Sequence, residues 1–237
     1  MEALVITMSE NLDEPVSSLL THIDESLIAK SSAVIADRTK SPLTVFADSV
    51  QQRPGQLAVV SDAGTLTFSE LEKQSNKVAN SIASAVAVIG VCIPASLESI
   101  VHRLGIFKSS KTYLAIGENL PANRKRLIAR SLEADVVYTT KEYAKEFALL
   151  GEDKVIVVDE ESYKHSLASV SAEAAKPQNT TRAAITLANG QFDTHKYSIW
   201  STEQLFEQAS LVADRLETKS SSSNFLNWIP GSEFDCH

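Results

Sequence analysis

Short apolar runs alternate with helical patterns through the middle of the chain. The runs are rich in valine and isoleucine, and between them apolar residues recur at the spacing of an amphipathic helix. Predicted strands cover residues 88–93, 112–116, 135–139 and 154–158, and predicted helices cover 97–107, 122–132 and 141–150. Continuous apolar strands that alternate with helices are typical of a mostly parallel sheet flanked by helices on both faces. The pattern therefore predicts an α/β fold.

A hairpin and a capped helix are predicted before this region. Residues 57–61 and 65–68 are the two strands, and Asp62-Ala63-Gly64 connects them because glycine supplies the positive φ of a tight turn. A helix that starts at Thr44 precedes the hairpin. Ser69 is predicted to cap the helix that follows it, since a serine hydroxyl can accept from the first free backbone N–H groups.

The last third of the chain carries a weaker pattern. Residues 160–182 are polar and rich in alanine, serine and threonine, and we predict a mobile loop there. The apolar strand at 183–187 enters a polar turn that contains Gly190 and Lys196. A helix is predicted over 202–216 and a last strand over 225–229.

Two regions of unequal size are predicted. Residues 1–43 form an N-terminal appendage and linker, with a strand at 3–8 and an amphipathic helix at 12–29, and residues 44–237 form one partial domain. The appendage has too little apolar surface to bury a core by itself. We therefore expect this strand–helix appendage to dock on another surface.

The charge of the chain argues against a nucleic-acid partner. Among 237 residues the formal net charge is −8, and no basic stripe offsets it. The densest basic run is Arg124-Lys125-Arg126, which we predict to be a solvated helix face.

The two cysteines, Cys92 and Cys236, lie far apart and form no CxxC pair, so a disulfide framework or a zinc site has little support. A reducing, cytoplasmic setting is the default expectation. The first residues lack the basic and apolar regions of a signal peptide, and the longest apolar run, 85–91, is too short to cross a bilayer. We expect no membrane partner.

The isolated cysteine, histidine and aspartate side chains are interpreted as structural or surface residues rather than as catalytic groups. Cys92 at a strand end is predicted to be a core residue, because no cationic partner lies near it in sequence. His102 is predicted to lie at the boundary of a helix face. Asp193 beside His195 suggests acid–base chemistry only weakly, since neither is tied to a substrate-facing geometry. The sequence predicts no catalytic residue and no metal ligand.

Three motifs follow one another in the predicted domain. They are Leu66-Thr67-Phe68-Ser69-Glu70-Leu71, then Ile89-Gly90-Val91-Cys92-Ile93-Pro94-Ala95-Ser96-Leu97-Glu98, and then Ile106-Phe107-Lys108-Ser109-Ser110-Lys111-Thr112-Tyr113-Leu114 followed by Pro121 and Arg124. In order and spacing they resemble the N-terminal part of an AMP-forming adenylation domain, of the adenylate-forming ligase superfamily. The resemblance is greatest to the adenylation domains of nonribosomal peptide synthetases. It covers residues 44–150 well and 183–237 poorly.

The resemblance implies an ATP-phosphate loop over residues 187–197. The family's loop reads Tyr-Thr-Ser-Gly-Ser/Thr-Thr-Gly-x-Pro-Lys-Gly, and of this pattern Gly190 and Lys196 agree. Asp193 would add negative charge beside a polyanion. Where the family has serine or threonine, this sequence has Ala188, Asn189, Gln191 and Phe192. Gly190 and Lys196 are therefore candidate residues of a vestigial ATP-phosphate loop, and a turn glycine with a surface lysine is the competing interpretation.

The resemblance also implies what lies outside this stretch. In the family the adenine- and ribose-binding residues, most of the substrate pocket and the lid with its catalytic lysine are downstream. Phe234-Asp235 resembles the start of the pocket region. The family uses ATP and magnesium, whereas here we expect no bound cofactor. The substrate is not predictable from these residues.

The resulting hypothesis is a truncated, degenerate adenylation domain that is inactive alone and has a structural or docking role. Its implied partners are neighbouring condensation or carrier-protein domains, and residues 1–43 resemble the closing strand and helix of a condensation domain. Two alternatives stay open. One is a fragment of an active ATP-dependent ligase that adenylates amino or acyl acids, and the other is a stand-alone, non-catalytic interaction module.

Overall fold

The computed structural model describes residues 42–61, 63–174, 183–187, 197–205 and 207. Its first elements are α1 (Pro42–Gln52), β1 (Leu57–Ser61), β2 (Gly64–Thr67), α2 (Phe68–Ser81), β3 (Val88–Cys92), α3 (Leu97–Lys108) and β4 (Thr112–Ala115). The later ones are α4 (Ala122–Ser131), β5 (Val136–Thr139), α5 (Lys141–Ala144), 3₁₀ turns at Lys145–Leu150 and Glu152–Lys154, β6 (Val155–Val157), α6 (Glu161–Ala168), β7 (Ala184–Leu187) and β8 (Tyr197–Trp200). Residues 202–205 are helical.

A six-stranded sheet in the order β6-β5-β3-β4-β7-β8 forms the centre, and β1 pairs with β2 in a separate antiparallel hairpin. The strands from β6 to β7 are parallel to one another, and β8 runs antiparallel to β7. The α/β prediction with a mostly parallel sheet is confirmed.

Each face of the sheet has its own apolar core. Ile89 and Val91 of β3 pack into the first core, together with residues of α2 and α3. Cys92 lies in the second core, which includes Ile128 of α4 and Phe147 of the 3₁₀ turn. Successive strand residues enter opposite cores because side chains alternate across a strand. The central strand β3 is therefore buried on both faces, as is typical of strands inside a parallel sheet.

The cap of α2 differs from the prediction, because the capping residue is Thr67 and not Ser69. Thr67 is still extended at the end of β2, with φ −75° and ψ 165°, and its hydroxyl accepts from the N–H of Glu70 at 3.2 Å. The Glu70 carboxylate in turn accepts from the N–H of Thr67 at 2.8 Å. This reciprocal pair is a capping box, and it places Ser69 inside the first turn.

Two elements in the last third are not anticipated by the sequence pattern. The first turns of the predicted mobile loop at 160–182 form α6, which has no buried residue, and the loop prediction is wrong there. β8 also forms directly before the helical residues 202–205. Residues 1–41 and the predicted strand at 225–229 lie outside the described residues, so the proposed division at residue 43 stays a prediction.

Candidate functional site

The stretch 188–196 is bracketed by two paired strands at one edge of the sheet. β7 runs parallel to β4, with Tyr113 opposite Ala184, so β3, β4, β5 and β7 have their carboxyl ends at the same edge. β8 returns antiparallel with Tyr197 opposite Leu187. In open parallel sheets, ligands bind outside the carboxyl ends of the strands. The hairpin therefore begins and ends where a ligand loop of this fold class is expected.

Gly190 and Lys196, the candidate phosphate-binding residues, lie outside the described residues, as do Asp193 and His195. Their roles stay predictions. What the structure describes is the support on either side of them.

This support is tied together by polar contacts. The Trp200 indole N–H donates to the Thr186 hydroxyl at 2.9 Å, and Thr186 is buried with 2% of its surface exposed. The N–H of Ala183 donates to the carbonyl of Trp200 at 2.8 Å, and the N–H of Tyr113 donates to the carbonyl of Ala183 at 3.0 Å. The two strands are thus fixed to each other and to β4.

Lys125 belongs to the basic run that was predicted to be solvated, and this prediction is wrong for that residue. Only 1% of its side chain is exposed, its Nζ lies 2.8 Å from the Glu146 carboxylate, and it sits 4.2 Å from the centroid of the Tyr143 ring. The reason is tertiary, because α4 packs on the 3₁₀ turn that carries Glu146. No local spacing in the sequence signals that contact.

The neighbouring Arg126 also turns to the 3₁₀ segment. Its guanidinium donates to the carbonyl of Glu146 at 2.9 Å, and Arg130 one turn later donates to the carbonyl of Leu149 at 2.8 Å. Lys125 therefore pairs with a carboxylate of this chain, and Arg126 and Arg130 donate to its backbone carbonyls. They hold α4 and the 3₁₀ turn together.

Cys92 is a core residue, as predicted, and is fully buried. Burial raises the pKa of its thiol to about 12, and the nearby Lys125 ammonium only partly opposes that shift. Its carbonyl accepts from the Thr139 hydroxyl at 3.1 Å, which joins the ends of β3 and β5. A thiol with such a high pKa is not a nucleophile at neutral pH.

The N-terminus of α3 lies just beyond the end of β3. The Ser96 hydroxyl accepts from the N–H of Ser99 at 3.2 Å, and the Ser99 hydroxyl accepts from the N–H of Ser96 at 3.2 Å. This capping box satisfies N–H groups that could otherwise meet an anion. The helix end is therefore self-capped.

His102, also on α3, packs on the face of the sheet opposite to Cys92. The prediction of a boundary residue is wrong, because only 3% of His102 is exposed. Its Nδ1–H donates to the carbonyl of Glu98 at 2.7 Å, since a carbonyl can only accept. Nε2 then accepts from the Tyr163 hydroxyl at 2.9 Å. Burial lowers the pKa of this imidazole.

Two features of the described part of the carboxyl edge are engaged with groups of this chain. Lys125 is paired with Glu146, and the end of α3 is occupied by its own cap. Within the described residues, no group of three side chains has the composition of a metal site. Nor does any described helix combine the length and apolarity needed to cross a bilayer.

Comparison with known proteins gives a consistent match. The model of the family described as AMP-binding enzyme matches residues 46–218. The nonribosomal peptide synthetase fso1 of Omphalotus olearius is 30% identical over 97% of this chain, and the nonribosomal peptide synthetase sidC of Aspergillus fumigatus is 29% identical over 76% of it. The chain spans only 5% and 4% of the length of these two relatives.

Solved structures share the fold. The crystal structure of VinN superposes with a TM-score of 0.65 at 18% identity, covering 74% of this chain and 49% of VinN. The nonribosomal peptide synthetase FmoA3 superposes with a TM-score of 0.62 at 19% identity, covering 73% of this chain and 18% of FmoA3.

Proposed function

Because the chain belongs to the AMP-binding enzyme family, we propose that it is a degenerate adenylation domain of nonribosomal-peptide-synthetase type that is catalytically silent alone. The matched region corresponds to the N-terminal part of an adenylate-forming domain. Its proposed role is structural or docking, beside the condensation or carrier-protein domains of an assembly line. We place it in the reducing cytoplasm.

The proposed inactivity rests on the composition of the stretch between β7 and β8. The positions that carry hydroxyls in the family's loop are Ala188, Asn189, Gln191 and Phe192 here. Asp193 adds a negative charge where a polyanion would lie. Adenylation requires a carboxylate held in line with the α-phosphate and neutralisation of the leaving pyrophosphate. Lys196 alone is insufficient for both tasks.

Residues of the three family signatures stabilise the fold, and this supports the proposed scaffold role. Thr67 and Glu70 of the first signature cap α2. Ser96 of the second caps α3. Lys108 of the third forms an ion pair with Glu72 and donates to the Asn76 amide oxygen at 2.8 Å. The signatures thus stabilise the fold of a chain whose ligand loop has diverged.

The partner proposal rests on the relatives. Both fso1 and sidC are nonribosomal peptide synthetases many times longer than this chain. A domain embedded in such a protein contacts neighbouring domains. A catalytically inactive domain would therefore still act as a spacer or docking surface.

ATP–pyrophosphate exchange with pooled amino acids tests the proposal. We expect exchange at the level of the heat-denatured chain, and equilibrium dialysis with labelled ATP should detect no saturable binding. A competent adenylation domain serves as the positive control. Robust exchange that disappears in the Lys196→Ala variant would contradict the silent reading and show that the diverged loop still works.

A second candidate is favoured by the small share of each relative that this chain covers. The chain is then a piece of an active ligase whose nucleotide site and lid are supplied by another segment. Sequencing the transcript beyond the codon for His237 tests this candidate. An open frame that encodes those parts supports it, and a stop codon without them contradicts it.

A further inference from the structure

Residues 161–174, called the strap below, lie across α2 and α3 and are held mainly by polar contacts. The strap contains α6, which has no buried residue. Only Tyr163 and Leu167 pack on the first core, and both are partly buried. A segment with so little buried apolar surface opens at a lower free energy than the core strands.

The first set of contacts does not depend on the strap's side chains. Three side chains of α2 donate to its backbone carbonyls: Asn76 to Ala172 at 3.0 Å, Lys77 to Ala168 at 2.8 Å, and Asn80 to Ser171 at 3.0 Å and to Glu173 at 2.9 Å. Most of these bonds are exposed to solvent, so each contributes little net stability. They position the strap and leave it releasable.

The second contact joins two side chains and is partly buried. The Tyr163 hydroxyl donates to Nε2 of His102, whose Nδ1–H is already committed to the carbonyl of Glu98. The His102 ring also meets Tyr138 edge-on, with ring centroids 5.6 Å apart. A neutral ring satisfies this arrangement completely. A second proton on Nε2 would make this atom a donor, so the Tyr163 hydroxyl would have to reverse and accept. It would also place a positive charge on a ring with only 3% of its surface exposed.

We propose that the strap is an acid-released element whose latch is the His102–Tyr163 hydrogen bond. Protonation of His102 reverses the latch and leaves a desolvated charge beneath the strap, and the strap then leaves α3 while the sheet stays folded. Its release exposes the three side-chain donors of α2 that hold the carbonyls of the strap.

The titratable and charged groups around His102 determine whether acid releases the strap or holds it more tightly. Tyr163 on α6 and Tyr138 on β5 have pKa values raised by burial, so neither titrates near neutral pH. Ser81 of α2 forms a hydrogen bond in this tyrosine cluster and carries no charge. Glu98, on the same helix as His102, favours the protonated ring but is outweighed by burial, which lowers the pKa of His102.

The sign follows from the lowered pKa. A solvated imidazole takes up a proton below about pH 6.5, whereas the docked ring resists protonation to lower pH. The strap is therefore held most strongly on α2 and α3 above pH 6.5, and less strongly as the pH falls below that value. If the docked ring stays neutral, the open fraction rises by at most about thirtyfold between pH 7.5 and pH 5.0, for an open-state pKa of 6.5.

Amide hydrogen exchange of the folded 237-residue chain between pH 5.0 and pH 7.5 tests the proposal. Protection factors are compared, because they divide out the intrinsic pH dependence of exchange. We expect the amides of Lys164, Ser169 and Val170 to lose protection by tenfold or more at pH 5.0. The amides of β3 should remain better protected than the strap at every pH, which identifies the opening as local.

Three variants separate the latch from its surroundings. His102→Gln keeps an acceptor for Tyr163 but does not titrate, so its strap should show a flat profile. His165→Gln removes the exposed histidine of α6 and should leave the profile of the unaltered chain. Tyr163→Phe, which keeps the ring, should reduce strap protection at pH 7.5 by on the order of fivefold.

A strap whose protection is constant from pH 7.5 to pH 5.0 in the unaltered chain would overturn the proposal. The same conclusion follows if the His102→Gln strap still loses protection in acid, or if His165→Gln abolishes the loss. If His102→Gln does not fold, a Tyr163→Phe strap with unchanged protection at pH 7.5 is sufficient to reject the latch.

Discussion

The ammonium of Lys125 and the carboxylate of Glu146 form an unequally buried ion pair. Their atoms lie 2.8 Å apart, yet 1% of the Lys125 side chain and 30% of the Glu146 side chain are exposed. The Glu146 oxygen nearest Lys125 accepts no hydrogen bond, so the contact is mainly coulombic. The lysine therefore depends on the glutamate more than the glutamate depends on the lysine.

Removing the carboxylate should be the more damaging change at this pair. Glu146→Gln leaves a buried ammonium without its counter-charge, and we expect the free energy of unfolding to fall by about 2 kcal/mol. Lys125→Met keeps the volume and removes the buried charge, so its loss should be smaller. Urea unfolding measures both.

The matched control is the exposed pair of Lys164 with Glu161 at 3.2 Å, where Glu161→Gln should change stability by less than about 0.5 kcal/mol. Equal effects of Glu146→Gln and Glu161→Gln would show that the burial of Lys125 has no energetic consequence.

Gly105 lies where α2 and α3 approach each other closely. A Cβ added there would lie 2.6 Å from two side-chain carbons of Val78 and 2.9 Å from the carbonyl oxygen of Ser75. Gly105→Ala should therefore lower the free energy of unfolding by about 1 to 3 kcal/mol through overpacking. Gly55→Ala is the control, because no atom lies within 4 Å of its added Cβ. Equal losses of melting temperature in the two variants would contradict the close approach of α2 and α3 at Gly105.

The capping box of α2 distinguishes two residues that look interchangeable in the sequence. Thr67→Ala removes the cap and should cost about 1 kcal/mol, whereas Ser69→Ala should cost little. Denaturant midpoints of the two variants decide between them, and a larger loss for Ser69→Ala would restore the cap predicted from the sequence.

Glu70 should add a pH dependence to the same cap. Hydrogen bonds from the N–H and hydroxyl of Thr67 lower the pKa of this carboxyl below 4.5. A lowered carboxyl pKa contributes stability that is present above pH 4.5 and is lost as the pH falls through the folded-state pKa. The melting temperature of the unaltered chain should exceed that of Glu70→Gln at pH 7, and the difference should shrink at pH 3. A constant difference would exclude this linkage.

Cys92 should be inert until the chain unfolds. Its burial and a pKa of about 12 leave almost no accessible thiolate at pH 8. In a Cys236→Ser background, which removes the other thiol, we expect a maleimide to label Cys92 only after denaturant is added. Stoichiometric labelling of the folded chain within minutes would show that the second core is open.

The parallel sheet was predictable because its signal is local. The runs at 88–93 and 112–116 match β3 and β4 to within one residue, since a strand buried on both faces needs an unbroken apolar run. The signal fails where tertiary contacts decide. α6 has polar residues on most sides and docks through the carbonyls of its strap, and the burial of Lys125 depends on a turn twenty residues away in sequence.

The strand that leads into the candidate site was predictable, whereas the strand that follows it was not. The strand before Gly190 forms as expected and ends at the edge where ligands bind in this fold class. The strand after Lys196 was missed, because β8 is four residues long and half of them face solvent. A period-two pattern of that length is easily masked by the helical pattern that follows.

The pairing of Leu187 with Tyr197 makes the hairpin a site for loop transplantation. Directly opposed residues of an antiparallel pair have Cα atoms about 5 Å apart, so the ladder fixes both ends of the stretch 188–196. A segment anchored in this way can be replaced by another of equal length while the strands keep their register. Grafting a loop rich in serine, threonine and glycine would thus separate two causes of the proposed silence: the composition of this loop, and the parts of an adenylating enzyme that lie elsewhere.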